Sequence, residues 1–109
     1  MKGKIVLVPF PFTDLTAAKL RPALVLYEGD KDVIMAFISS KIPSKPSEVD
    51  VLITKKHSAF KNAGLKVASV VKLDKIATVL EDLIVGEIGE LNQELRKEVN
   101  QKIKKILEI

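Results

Sequence analysis

Arg21 is the residue in this chain best suited to handling a phosphate. It stands in Leu20-Arg21-Pro22-Ala23-Leu24-Val25-Leu26, at the mouth of an apolar run. A guanidinium is planar and always charged, and its fork of donors matches phosphate oxygens. Pro22 biases Arg21 toward extended backbone and removes one ladder donor just after it. Two readings follow from chemistry alone: a guanidinium held at a strand entrance and facing a groove, or a surface arginine pairing with Asp14 or another acid. A later run, Val33 to Ile38, ends in Ser39-Ser40-Lys41. At a strand end the two hydroxyls point to opposite faces, so one of them can share a groove with Arg21 and donate to a phosphate oxygen. As a nucleophile a serine needs an activating base, and none lies nearby in sequence. Both serines equally suit the end of a strand and the start of a turn.

The other chemical candidates are weaker. His57, in Lys55-Lys56-His57-Ser58, is the only histidine. It invites a general-base role, but no companion for it is fixed in sequence and its segment reads as a solvated turn. Asp30, Asp32, Glu81 and Asp82 sit in expected turns without the spacing of a calcium or magnesium loop, so no metal or other cofactor is implied. Phe10 and Phe12, two apart, offer a stacking face for a base or ordinary strand-end core. The absence of cysteine removes thiolate nucleophiles, disulfides and Cys-ligated zinc, and suits a reducing cytoplasm.

These residues need a scaffold, and 109 residues suffice for one core and one domain, 1–109. Hydrophobic residues make up 47%, which is ample for a globular fold. Eighteen Lys and Arg against 14 Asp and Glu leave a mild formal excess of +4. That permits a polyanionic partner without requiring one. No apolar segment approaches the roughly 18 residues that span a bilayer. The basic start is followed by a run interrupted by Pro9 and Pro11, with no small-residue cleavage site, so no signal peptide is expected.

The apolar runs are short and rich in Val and Ile, as strands are. Strands are expected over Lys4–Pro9, Ala23–Glu28, Val33–Ser39, Val49–Ile53 and Lys66–Leu73, with a sixth over Lys75–Leu80. Pro9 and Pro11 should end the first or move it to an edge. Phe12 to Leu20 reads as a loop with Thr13, Asp14 and Thr16 as turn formers. Gly29-Asp30 should close a hairpin between strands two and three. Ile42 to Glu48 reads as an exposed loop. Thr54 to Gly64 reads as a turn or short helix stopped by Gly64, and Asp82 to Glu90 as a bridging segment around Gly86 and Gly89. Leu91, Leu95, Val99, Ile103 and Leu107 recur every fourth residue, with Ile106 widening the stripe and Asn92 as N-cap. Such a stripe packs on its own sheet or forms a dimer seam. Many short strands followed by one helix imply a mainly β fold, a small, mostly antiparallel barrel or coiled sheet with a C-terminal helix packed on it.

In order and spacing the chain resembles the MazF/PemK family of toxin-antitoxin ribonucleases. The pieces are Gly3-Lys4-Ile5-Val6-Leu7-Val8, then Leu20 to Leu26 with its Arg-Pro, then Ala36-Phe37-Ile38-Ser39-Ser40-Lys41. Ser69-Val70-Val71-Lys72-Leu73-Asp74-Lys75-Ile76 and a late Ile88-Gly89 complete the set. The resemblance implies an SH3-like barrel shared with CcdB-like toxins, usually a homodimer; no membrane partner is expected, given the short apolar runs. It implies sequence-specific, metal-independent cleavage of single-stranded RNA. The 2′-hydroxyl attacks the adjacent phosphorus, giving a 2′,3′-cyclic phosphate and a 5′-hydroxyl. It also implies a cognate antitoxin, for which an acidic, partly disordered segment would suit the basic groove.

Carried over by position, Arg21 matches the catalytic arginine, stabilising charge on the phosphorane and assisting proton transfer. Ser39 matches the hydroxyl, often Thr, that holds the scissile phosphate. Lys75 falls near a base-contacting position, and Ser40 and Lys41 adjoin the site. The loop Phe12 to Lys19, with Phe12, Thr13, Asp14 and Lys19, corresponds to the loop that shapes the RNA groove and overlaps antitoxin binding. Three departures stand out: Lys4 replaces the common acid after Gly3, the loop lacks the Gly-rich, acid-bearing pattern, and the hydroxyl is Ser. Two other functions fit the same fold: a non-catalytic CcdB-like gyrase poison and an RNA-binding barrel without chemistry.

Overall fold

Strand β2, Lys19–Glu28, turns at Gly29 into β3, Asp32–Ser39, and this hairpin is the centre of the molecule. The Gly29 N–H donates to the Asp32 carbonyl at 2.7 Å, closing the turn as expected. The computed structural model describes residues 1–10, 19–58 and 60–109. The other described strands are β1 (Lys4–Phe10), β4 (Asp50–Ile53), β5 (Ser69–Leu80) and β6 (Gly86–Glu90). They form one antiparallel sheet in the order β4-β5-β3-β2-β1-β6. The sheet curls into a half-barrel, mainly β, with a C-terminal helix.

Alternation sends side chains to two faces, and both are buried. Ile5, Leu24, Ala36, Ile38, Val51 and Val71 form one core with α1 (Phe60–Ala63) and α2 (Gln93–Leu107). Val6, Val8, Ala23, Val25, Val33 and Met35 form the other. The helical stripe packs on the chain's own sheet: Leu95 and Val99 are buried, whereas Leu107 is 58% exposed. The Asn92 side chain accepts from the Leu95 N–H at 2.9 Å, the expected cap. Arg96 ties the helix to the start of the chain, donating to the carbonyls of Leu91 (3.0 Å) and Lys2 (3.2 Å). No described helix is long and apolar enough to cross a membrane.

Four expectations need correction. Pairing does not stop at Pro9, the first of the two alternatives: β1 continues to Phe10, with Pro9 opposite Leu20 and Phe10 opposite Lys19. But β6 pairs only as far as Leu7, so Pro9 lies on an edge, as the second alternative had it. Correspondingly, β2 starts at Lys19 rather than Ala23, passing through Pro22. Proline is tolerated there because pairing with β3 begins only at Ala23, so β2 has one neighbour along that stretch. The two strands expected over Lys66–Leu73 and Lys75–Leu80 are one strand, β5. Its pairing with β3 jumps from Ala36–Ile76 to Phe37–Lys72, leaving Leu73, Asp74 and Lys75 as a bulge. The bulge buries Leu73 in the helix-side core and leaves Asp74 and Lys75 exposed. Finally, the segment expected to bridge Asp82 to Glu90 holds a 3-10 turn, Glu81–Leu83, and then the true sixth strand, β6, beside β1.

Candidate functional site

A groove of about 610 Å³ opens at the end of the second face. Its walls include Phe10 of β1, Arg21 of β2, Phe37 and Ser39 of β3, and Lys72, Lys75 and Ile76 of β5, with Ser40 and Lys41 beyond β3. Register explains the gathering. The last rung between β2 and β3 pairs Ala23 with Phe37. Two residues further along each strand, on the same face, come Arg21 and Ser39. Arg21 is exposed and Ser39 half-buried.

Ser39 also begins the turn that leaves β3: its Oγ accepts from the Lys41 N–H at 3.0 Å. That bond fixes the side chain by its acceptor and leaves the O–H to donate. Ser40 lines the same groove rather than the opposite face, because β3 ends at Ser39 and strand alternation no longer applies. The bulge in β5 brings Lys75 to the groove; an unbroken ladder would not supply the three extra residues.

Lys72 was not singled out by its sequence. It stands opposite Phe37 on β3 and opposite Asp50 on β4. Its Nζ donates to Asp50 Oδ1 at 2.9 Å, and the Asp50 side chain is 3% exposed. Burial pulls the Asp50 carboxyl upward, but the Ser47 N–H at 2.8 Å and the Lys72 ammonium outweigh it and hold the carboxyl below the usual range. The Asp50 carbonyl in turn accepts from Lys102 of α2 at 2.6 Å. A buried acid therefore anchors one groove lysine to the helix side of the fold. Phe37 was likewise missed as a site residue; its ring lies 4.8 Å from that of Phe10, centroid to centroid. Two aromatics near strand ends were the available signal, but Phe12 was the expected partner of Phe10.

Not every sequence candidate joins the groove. Lys19 stands at the start of β2, opposite Phe10, outside the groove lining. Phe12, Thr13 and Asp14 lie outside the described residues, as does the alternative Arg21–Asp14 pairing. His57 is half-buried away from the groove, with Nε2 3.7 Å from Glu94 of α2.

The groove joins a guanidinium, two hydroxyls and three ammonium groups to an apolar floor. That set can hold a phosphate and the flat group attached to it.

Comparison with known proteins bears on the same fold. The chain is similar to the Mycobacterium tuberculosis toxin MazF-mt6, with a TM-score of 0.73, 20% identity and 97% of each chain covered. It is similar to MazF from Deinococcus radiodurans, with a TM-score of 0.70, 21% identity, and 99% of this chain and 96% of that one covered. It also resembles a mycobacterial endoribonuclease solved in complex with its cognate antitoxin, with a TM-score of 0.73, 14% identity, and coverage of 98% and 93%. At these identities the likeness is one of fold. A search of curated protein sequences returns no match. The model of the PemK-like, MazF-like toxins of type II toxin-antitoxin systems matches residues 1–107, and the chain belongs to that family.

Proposed function

We propose that this protein is an endoribonuclease toxin that cleaves single-stranded RNA at a short sequence without a metal ion. The observation that carries the reading is the placement of Arg21 and Ser39 on one face of one groove, beside Lys72 and Lys75. The nucleophile is the RNA's own 2′-oxygen. It forms a bond to phosphorus as the bond to the 5′-oxygen breaks; the 2′-oxygen loses its proton and the 5′-oxygen gains one. The products are a 2′,3′-cyclic phosphate and a 5′-hydroxyl. Such a reaction asks the protein for charge stabilisation and placement, and fixed donors aimed at developing charge usually contribute most to the rate. Arg21 stabilises the phosphorane and assists proton transfer. Ser39, with its acceptor side held by Lys41, donates to a phosphate oxygen. Ser40, Lys41 and Lys75 contact the RNA, with Lys75 directed to a base. The 2′-hydroxyl requirement separates RNA from DNA.

The family and the mycobacterial complex support an antitoxin partner, whose acidic segment would cover Arg21. A homodimer is proposed on the family resemblance. The test is incubation of purified protein with a long single-stranded RNA in EDTA, with mapping of cut sites. Wild type should cut at one short sequence and folded Arg21→Ala should not. An active Arg21→Ala protein would sink the assignment of that residue. Tight binding with intact RNA would favour the plain RNA-binding barrel.

A further inference from the structure

The groove has an aromatic floor that the phosphate chemistry does not use. Phe10 comes from β1 and Phe37 from β3, the two strands flanking the strand that carries Arg21. Their rings meet at 4.8 Å with 45° between planes. Ala23, opposite Phe37 on β2, is small and fully buried. Both rings are only half-buried, and both line the groove. Phe37 shares its strand face with Ser39 two residues on, a separation of about 6.6 Å along the strand. Lys72 lies opposite Phe37 on β5, with its ammonium held by Asp50.

The geometry points to Phe37, backed by Phe10, as a stacking platform for the base next to the scissile phosphate. This rests on the ribonuclease reading of the same groove. A phosphate held by Arg21 and Ser39 leaves its nucleoside within reach of an apolar ring. Every base has a π-face, so the contact adds affinity and places the sugar without demanding a particular base. Phe37 is thereby a positioning residue for the nucleotide whose 2′-oxygen attacks or the one whose 5′-oxygen departs. The inference also gives a reason for an aromatic at a strand end whose neighbours on the same face, Met35 and Val33, are aliphatic and buried.

The test uses the cut site mapped with the wild-type protein. Oligonucleotides carrying that site are made uncleavable by one 2′-deoxy substitution at the cut. Two further versions lack the base on one side or the other of the scissile phosphate. Phe37→Leu should weaken binding of the intact oligonucleotide about tenfold, within the range for loss of one stacked base. It should leave binding of one abasic version unchanged. Equal weakening of all three oligonucleotides, or none, would overturn the inference. The chain contains no tryptophan, so Phe37→Trp supplies a direct second readout. Its fluorescence should quench on adding the intact oligonucleotide and not the insensitive abasic one; quenching by both would overturn the platform. A wild-type protein that cuts no RNA would defeat the ribonuclease reading itself, whereas a cutting enzyme indifferent to Phe37 would defeat only the platform.

Discussion

Arg21 and Ser39 stand at equal steps beyond the last rung that joins β2 to β3, on the face that carries Ala23 and Phe37. They lie 18 positions apart in sequence and belong to the two strands of one hairpin. Where that hairpin splays, past the Ala23–Phe37 rung, each strand presents a polar side chain on the same face while still pairing with its other neighbour, β2 with β1 and β3 with β5. A groove follows from the register, since the β2–β3 ladder stops two residues earlier on each strand, at Ala23 and Phe37.

Ser39 separates a hydroxyl's chemical role from its structural one. Ser39→Ala loses the acceptor for the Lys41 N–H and, on the proposed function, the donor to phosphate. Cleavage should fall by about 10- to 100-fold, from one lost hydrogen bond to a charged group of about 1.5–3 kcal/mol. Ser39→Thr keeps the hydroxyl and should retain most activity, with a stiffer rotamer. Single-turnover rates on one RNA measure both. Equal losses in the two variants would mean that packing at this position, not the hydroxyl, matters.

Asp50 should set an acid limit on stability. Its carboxyl is held below the usual 3.8 because the Ser47 N–H and Lys72 outweigh the opposing effect of burial. A depressed carboxylate contributes stability that is fully present above the unfolded value. That contribution declines as the pH falls below about 3.8 and is gone below the folded value. Asp50→Asn should therefore be less stable than wild type at pH 7 and nearly equal to it under strong acid. Denaturant unfolding at several pH values checks this; a gap independent of pH would contradict it.

Gly64 should tolerate no side chain. Its φ is +73°, and a Cβ there would collide with the carbonyl of Ile88. Gly64 thus both ends α1 and lets α1 close on β6. Gly64→Ala should cost about 1–3 kcal/mol from backbone strain, with the collision adding to it. Gly86→Ala is the control, because a Cβ there meets nothing within 4 Å. Its effect should stay within about 0.5 kcal/mol. Equal destabilisation by the two substitutions would show that α1 does not need this close approach.

Local signals carry much of this fold. The β2–β3 hairpin, the Asn92 cap and the helical stripe each rest on residues adjacent in sequence or one helical turn apart, so the sequence alone makes them legible. Arg21 and Ser39 are legible as candidates because an Arg-Pro pair stands at the mouth of one apolar run and Ser39-Ser40-Lys41 closes another. What escapes depends on pairing between distant strands. Asp74 looks like a break between two strands, but β3 pairs with both halves and extrudes Leu73 to Lys75 as a bulge. Gly86 and Gly89 disguise β6, which forms because β1 offers it a ladder. Lys72 looks like any surface lysine in an alternating strand. Its role beside the groove emerges only once β4 places Asp50 across from it.

In the proposed reaction the RNA supplies the nucleophile and Arg21 the charge stabilisation. The most direct measurement places a single 2′-deoxy nucleotide on the 5′ side of the mapped cut in an otherwise unmodified RNA. It follows cleavage in EDTA and identifies the ends. This one substitution should abolish cutting at that bond. The unmodified RNA should give a 2′,3′-cyclic phosphate and a 5′-hydroxyl with wild type, and neither with Arg21→Ala. Continued cutting at the 2′-deoxy position, or a 5′-phosphate product from the unmodified RNA, would contradict it.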